Sequence, residues 1–582
     1  MLFRSDGDVS LAVPFITDDT LDRAGPAEPL GDPLTTQSAV ISLAQDATEA
    51  HLILEQFTGH RPPAAGVPAP SIRHTPIDES SGQQRIFAQA FPTLYPTGRA
   101  DINTPRLREV PLRDYAHHLL CWHDGRFARH ARWRFLVFNI IMRQKARSTA
   151  QFYVSRASHL RDLTREELGD ALCADAGLLP QIVRQATVLP GTRPYWRNRS
   201  GSLQAHARFL SRDAAPVFAT FSCADMQWHE LQRHLPRFAE YVIGDERTRQ
   251  RIVWSNIQDY PHVVAHYLDI RFRAFLEHVV GPYLGATDHW FRYEWQHRGS
   301  GHVHCLLWTP DGPPLDPETE KERDSFACYW GGRTTAANPD PHRPPDLRNP
   351  ASLPPSDVAN TPDQFAALLN RLQQHTCSPA YCLRTKKGEA AARCRFFYPR
   401  PLATRPAVTR SINQKSYTFA PVRNQAVLNQ CAPVITLGWL ANTDIQPSTT
   451  LDGILTYLGK YVSKPEKSSA SYTELQAQVL PYVNARAPLL SFVSKLFNKL
   501  VGERDWSAQE VSHVLLELPS QDATRQVVTL DCRPAEVQND MITVEDDTVT
   551  ARRSPLRRYQ DRMTDQVGLA LAAVSLFDWL RV

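Results

Sequence analysis

At 582 residues, 42% hydrophobic and 22% charged, the chain has a globular composition with room for roughly three to four domains. Ten cysteines in so long a chain exclude a secreted disulfide scaffold, and no run approaches the ~20 apolar residues of a membrane span. The N-terminus MLFRSDGDVSLAVPFITDDT lacks a clean apolar stretch, so an intracellular protein is expected, and a net charge of +4 permits a nucleic-acid partner only where basic residues cluster.

Residues 1–85 are rich in Pro, Asp, Ala and Thr, with a helical pattern near Ala39–Phe57 and a linker-like stretch at Arg61–Ser81, and are expected to be partly disordered. From 86 to 205 the reading is a helical, basic-aromatic DNA-binding region, with helical periodicity at Leu112–Leu120 and Arg132–Met142. The stretch 206–467 mixes strands and helices. PVFATFS (Pro216–Ser222) reads as a strand, Ala224–Tyr241 and His262–Tyr283 as helices, and His289–Gln296 with His302–Thr309 as a β-hairpin. Asp311–Pro355 reads as an exposed excursion, 371–401 as a Cys/His insertion, Pro433–Trp439 as a strand and Leu451–Val462 as a helix. The region 468–582 is mainly helical, at Leu489–Leu500 and Ser507–Leu518, with a short strand at Gln526–Asp531.

Within the hairpin, strand geometry points His302 and His304 to one face and Val303 to the other. Two imidazoles so placed can hold a divalent ion, with a third ligand from the neighbouring strand. Pairing Gln296 with His302 would set Glu294 opposite His304, and either residue could be that ligand. By itself, such a pair is most simply two histidines on a polar strand.

In a helix, Tyr457 and Tyr461 stand one turn apart along the edge of an apolar face, beside Lys460 and Lys464. Phenols there can reach a phosphate, although two tyrosines on a helix are by themselves most simply packing residues. His375, Cys377, Cys382 and Cys394 give an H-x-C-x4-C-x11-C spacing that suits a structural zinc, while Cys121, Cys223 and Cys431 read as core cysteines. Two basic-aromatic clusters suit single-stranded DNA: Arg126, Arg129, Arg132, Trp133 and Arg134, then Arg193, Tyr195, Trp196 and Arg197 in a loop-like context. Their bland alternative is a solvated helix face.

Several stretches together resemble the Helitron replication-initiator domain, one of the HUH (His-hydrophobic-His) endonucleases. They are FPTLYPTGRADI (Phe91–Ile102), DGRFARHARWRF (Asp124–Phe135), LPGTRPYW (Leu189–Trp196), TFSCADMQWHEL (Thr220–Leu231), DHWFRYEWQHRGSGHVHCLLW (Asp288–Trp308), the cysteine block, WLANTDIQP (Trp439–Pro447), YLGKYVSKPEK (Tyr457–Lys467) and Ser494–Pro519. The resemblance spans about residues 90–530. It implies an α+β fold whose HUH core is a mainly antiparallel sheet flanked by helices, with a zinc-binding insertion and helical N- and C-terminal regions.

The resemblance also implies that His302 and His304, with Gln296 or Glu294, bind Mg2+ or Mn2+, and that Tyr457 and Tyr461 are nucleophiles assisted by Lys460 and Lys464. The reaction would be nicking and strand transfer on single-stranded DNA through a 5′-phosphotyrosine, and nuclear localisation follows from that substrate. Gly301 stands where the pattern has proline, and CRFFYP replaces the more usual CRFGFP. No G-x-x-x-x-G-K-S/T loop occurs, so the helicase that follows in such proteins is expected to be absent or supplied by a separate protein. The alternative expectation is an inactive, truncated transposon-derived DNA-binding protein.

Overall fold

The computed structural model describes residues 84–581 apart from 213–214, 296–298, 345–347, 380–381, 386–390, 411–416, 456–470, 533–540, 546–547 and 563–571. The principal helices are α1 (Leu112–Leu120), α2 (Trp133–Arg156), α3 (Arg193–Leu210), α4 (Pro261–Phe275), α5 (Glu320–Gly331), α6 (Pro433–Trp439), α7 (Pro488–Val501) and α8 (Ala508–Leu515). The strands are β1 (Pro216–Ser222), β2 (Asp288–Trp295), β3 (Gly301–Trp308), β4 (Leu383–Arg384), β5 (Arg393–Cys394), β6 (Ala407–Arg410), β7 (Tyr417–Ala420), β8 (Thr443–Pro447), β9 (Gln521–Ala523), β10 (Met541–Glu545) and β11 (Thr548–Arg552). Among the described residues no helix is long and apolar enough to cross a membrane.

Helix α2 runs 24 residues without Gly or Pro, and Trp133, Val137, Phe138, Ile140, Ile141 and Met142 are all buried. Apolar contact on every side marks a central helix rather than a surface one. Against it lies α7, whose buried Leu489, Phe492, Val493, Leu496, Phe497 and Leu500 follow helical spacing after a proline in the first turn. Each such side chain contributes about 1.5–3 kcal/mol on burial, enough to offset the ~1–2 kcal/mol of backbone ordering per residue. One apolar cluster thus joins residues of 87–189 to residues of 475–515.

The second core surrounds a five-stranded sheet in the order β8-β1-β3-β2-β9, with every pairing antiparallel. Alternation splits each strand cleanly. Val217, Ala219, Phe221, Phe291, Tyr293, Val303, Cys305 and Leu307 pack on α4 and α6, while Trp290, Leu306 and Trp308 meet Leu203 and Ala207 of α3 and Ile454 on the opposite face. The architecture is therefore mixed, helices around an antiparallel sheet.

Several elements depart from the sequence expectation. Pro433–Trp439 is helix α6, not a strand; its short apolar run carries no period that separates the two, and its proline starts a helix. Arg193 opens α3 rather than a loop, because Thr192 caps the helix through the Tyr195 amide and Pro194 sits in the first turn. The Asp311–Pro355 excursion contains α5, started by a Thr319–Glu322 capping box and anchored by buried Phe326 and Trp330. Within Ala224–Tyr241, two short helices at His229–Gln232 and Phe238–Ile243 flank Pro236. The strand expected at Gln526–Asp531 is absent there; β9 lies earlier, at Gln521–Ala523. Cys431 is buried as expected, but Cys121 is exposed and Cys223 half-buried. Ala39–Phe57 lies outside the described residues.

Candidate functional site

The hairpin forms, with a register two residues from the expected one: Glu294 pairs with His302, and Arg292 with His304. Because the slip is even, the same side chains keep the same face. Glu294, His302 and His304 therefore converge. The His304 Nε2 lies 2.7 Å from Glu294 Oε2, and the two imidazole rings meet edge to face with centroids 4.7 Å apart. Ser222 of β1, the cross-strand partner of His302, places its Oγ 3.2 Å from His302 Nδ1.

Protein packed around the His302 ring, with His304 next to it, pushes its pKa down to about 3, so the ring is neutral at neutral pH. Burial raises the pKa of the Glu294 carboxyl, but its hydrogen bond and electrostatic interaction with His304, with Arg292 beside it, outweigh this and lower it to about 2. A neutral imidazole and an ionised carboxylate are the ligand forms a divalent ion requires. His304 also stacks on Phe218, with ring centroids 6.1 Å apart.

Three neighbours of this cluster escaped the motif reading. Ser222 is one. Arg292, 5% exposed, lays its guanidinium over the Trp196 ring of α3 at 3.5 Å, tying that helix to the strand that carries Glu294. Asp444 of β8 falls in the same cross-strand row, Asp444–Thr220–His304–Arg292, and Gln446 donates to both of its oxygens at 2.9 and 3.0 Å. Burial raises the pKa of its carboxyl. Strand alternation counted back from Glu294 would have found Arg292, but Asp444 and Ser222 needed the sheet order.

Gly301 is held by close packing: a Cβ there would stand 2.2 Å from Leu268 Cδ2 of α4 and 3.3 Å from Trp295. The proline of the resembled pattern would carry an atom at the same point. Residues 451–455 are helical, and buried Ile454 rests on the sheet face that carries His304. Tyr457, Lys460, Tyr461, Lys464 and Gln296 lie outside the described residues.

His375, Cys377, Cys382 and Cys394 come together as their spacing suggested. Their donor atoms lie within 4.8 Å of one another, and among the described residues this is the one group of three or more His, Cys, Asp or Glu that meets that distance. The short β4–β5 ladder pairs Leu383 with Cys394, while the Ser378 amide donates to Cys382 Sγ at 3.2 Å. Burial works against ionisation of Cys394, but the backbone amides of Tyr398 and Phe396 outweigh it and lower its pKa. One imidazole and three thiols, three of these donors just ahead of β4 and the fourth, Cys394, in β5, can hold a tetrahedral zinc with no open position, which is a structural role.

The basic-aromatic residues divide by exposure. Arg126, Arg129, Arg132 and Arg197 are exposed, with Arg126 paired to Asp124. Trp133 and Arg134 are buried instead: the Trp133 indole donates to the Tyr95 hydroxyl at 2.8 Å, and Arg134 donates to the Ala128 carbonyl. Both hold the helical core together, and neither side chain is open to a base or phosphate. Arg193 donates to Glu503 at 2.8 Å, Tyr195 sits 3.3 Å from Ser520 Oγ, and Trp196 is buried under Arg292.

No curated protein matches the chain. Residues 115–307 match the family model described as the Helitron helicase-like domain at N-terminus, a span that takes in Glu294, His302 and His304. The segment between residues 115 and 307 is thus similar to the Helitron helicase-like N-terminal domain.

Proposed function

We propose that this chain is an HUH-type endonuclease that nicks single-stranded DNA by tyrosine transesterification. The observation that carries the reading is the convergence of His302, His304 and Glu294 on one face of an antiparallel sheet. When bound there, Mg2+ or Mn2+ supplies Lewis-acid polarisation of a phosphate. His302 and His304 would hold it through ring nitrogens and Glu294 through its carboxylate, with Gln296 a further donor.

Support for the tyrosines is the packing of Ile454, three residues before Tyr457, on the same sheet face. In the proposed step the phenol oxygen of Tyr457 or Tyr461 bonds to phosphorus as the phosphorus–O3′ bond breaks. The phenol loses its proton, the leaving oxygen gains one, and the products are a 5′-phosphotyrosine and a free 3′-hydroxyl. Lys460 and Lys464 stabilise the charge that develops on the phosphate. With two tyrosines, one can retain a cut end while the other attacks a second strand, which is the chemistry of Helitron strand transfer.

The test is a covalent-adduct assay on labelled single-stranded DNA with Mn2+, resolved on a denaturing gel. Protein-bound label is expected for the wild type, and should vanish in His304→Ala and in the Tyr457→Phe/Tyr461→Phe double variant. Cleavage that survives loss of both tyrosines would indicate a metal-dependent hydrolase. Binding without cleavage or adduct, across several DNA sequences and metals, would leave the inactive DNA-binding protein.

A further inference from the structure

The Cys/His module carries a feature that holding zinc does not require. Phe397 is 83% exposed, with Leu402 at 65% nearby in sequence, although a large apolar ring gains most from burial. Its backbone also lies in the left-handed region, at φ 63°. Bulky residues rarely adopt that conformation, and glycine does so freely. The fold thus accepts a strained residue in order to present an aromatic ring to solvent, a combination that gathers at binding sites.

Cationic groups surround this position along the chain. Residues 391–405 contain Arg393, Arg395, Arg400 and Arg405 and no acidic residue. The Arg395 guanidinium lies over the Phe396 ring at 4.6 Å, and that of Arg400 over the Tyr398 ring at 4.8 Å, so a cation–aromatic pair stands on either side of Phe397. The base of the module is fixed: the Arg395 amide donates to the Cys382 carbonyl at 2.8 Å, the Phe397 amide to the Cys394 carbonyl at 3.0 Å, and the Arg400 amide to the Ala426 carbonyl at 2.8 Å.

We propose that this face of the Cys/His module is a second contact for single-stranded DNA, with Phe397 stacking on an unpaired base and Arg393, Arg395 and Arg400 receiving the flanking phosphates. Charge complementarity selects a polyanion, and the exposed ring selects bases free to stack, which a duplex withholds. The site takes any base, because every base offers a π face. The choice of DNA as the strand rests on the nicking reading above.

The full-length, zinc-loaded protein would be titrated with oligo-dT carrying a 2-aminopurine, without added Mg2+ or Mn2+. Phe397→Gly is expected to weaken binding about 5- to 100-fold, the range of one lost base stack, and to abolish the quenching that reports stacking. Thermal stability should hold or rise, since glycine relieves the strained backbone, and Phe397→Trp should restore both signals. Arg395→Gln should reduce the slope of log affinity against log salt by about 1.

Unchanged affinity and quenching in Phe397→Gly would overturn the proposal. So would Phe397 dependence confined to oligo-U RNA, or a shift from dimer to monomer in Phe397→Gly with DNA binding intact. A protein that forms the tyrosine adduct but binds DNA without regard to Phe397 loses this surface alone. One that binds through Phe397 yet never nicks loses the nicking reading alone.

Discussion

Gly301→Ala should damage the site from beneath, without touching either histidine. A methyl there would stand 2.2 Å from Leu268 Cδ2, more than an ångström short of the ~3.5 Å of ordinary carbon contact. Leu268 is 1% exposed within the packed core, so it cannot swing into solvent. Either its rotamer distorts or the start of β3 moves outward and carries His302 with it. Overpacking of this kind costs about 1–3 kcal/mol, and a ~1 Å displacement of a reacting group costs about 100-fold in rate.

Chemical denaturation measures the first term and Mn2+-dependent nicking the second. Leu268→Ala alone should cost about 2–5 kcal/mol through the cavity it leaves. Added to Gly301→Ala it should remove the clash, so the double variant should be more stable than the sum of the singles by ~1–3 kcal/mol. Strict additivity, or a Gly301→Ala protein within ~0.5 kcal/mol of wild type, would refute the close-packing account of this glycine.

Two further outcomes follow from buried groups. His513, 2% exposed and enclosed by Tyr293 and Trp295, has its pKa pushed down to about 4 by burial, and among the described residues its Nδ1 has no hydrogen-bond partner. The folded state therefore binds fewer protons than the unfolded chain: stability is full above about pH 6.5 and falls by up to ~3 kcal/mol as pH drops to about 4. Denaturation at pH 7 and pH 4.5 should show this loss, and His513→Phe should reduce the pH dependence by that share; an unchanged slope would refute the assignment. At the Cys/His module, elemental analysis should find one zinc per chain, and Cys382→Ser or Cys394→Ser should weaken it beyond the ~10–100-fold cost of an outer partner and expose 377–394 to protease. Full zinc retention in both variants would refute the four-ligand site.

The sequence was most legible where one period dominated a segment. Leu112–Leu120 and the stripe of Pro488–Val501 were plain as amphipathic helices, and alternation around Val303 marked the hairpin and its inward and outward faces. Register was not legible, because it depends on turn geometry; that Glu294 still reached the site reflects the two-residue period of a strand. Trp133 and Arg134 misled because a basic-aromatic string reads alike on a surface and on a core helix, and only the neighbouring Tyr95 and Ala128 distinguish the two. Asp444 was hidden by topology: β8 joins the sheet beside β1, more than 200 residues away in sequence.

The cluster joining residues 87–189 to 475–515 determines where this protein can be cut. Synthesis at ~5–20 residues per second leaves α2 waiting roughly 15–70 s before α7 emerges to cover Phe138 and Met142. Strands β1, β2, β3 and β8 can pair within that interval, whereas α2 waits for α7 and the sheet waits for β9. A fragment with the boundaries of the family match, 115–307, would end before α7 and α8 of the first core and before α5, α6 and β8 of the second. The homology unit and the folding unit are different objects here, and expression of the former should give insoluble protein where the full chain stays soluble.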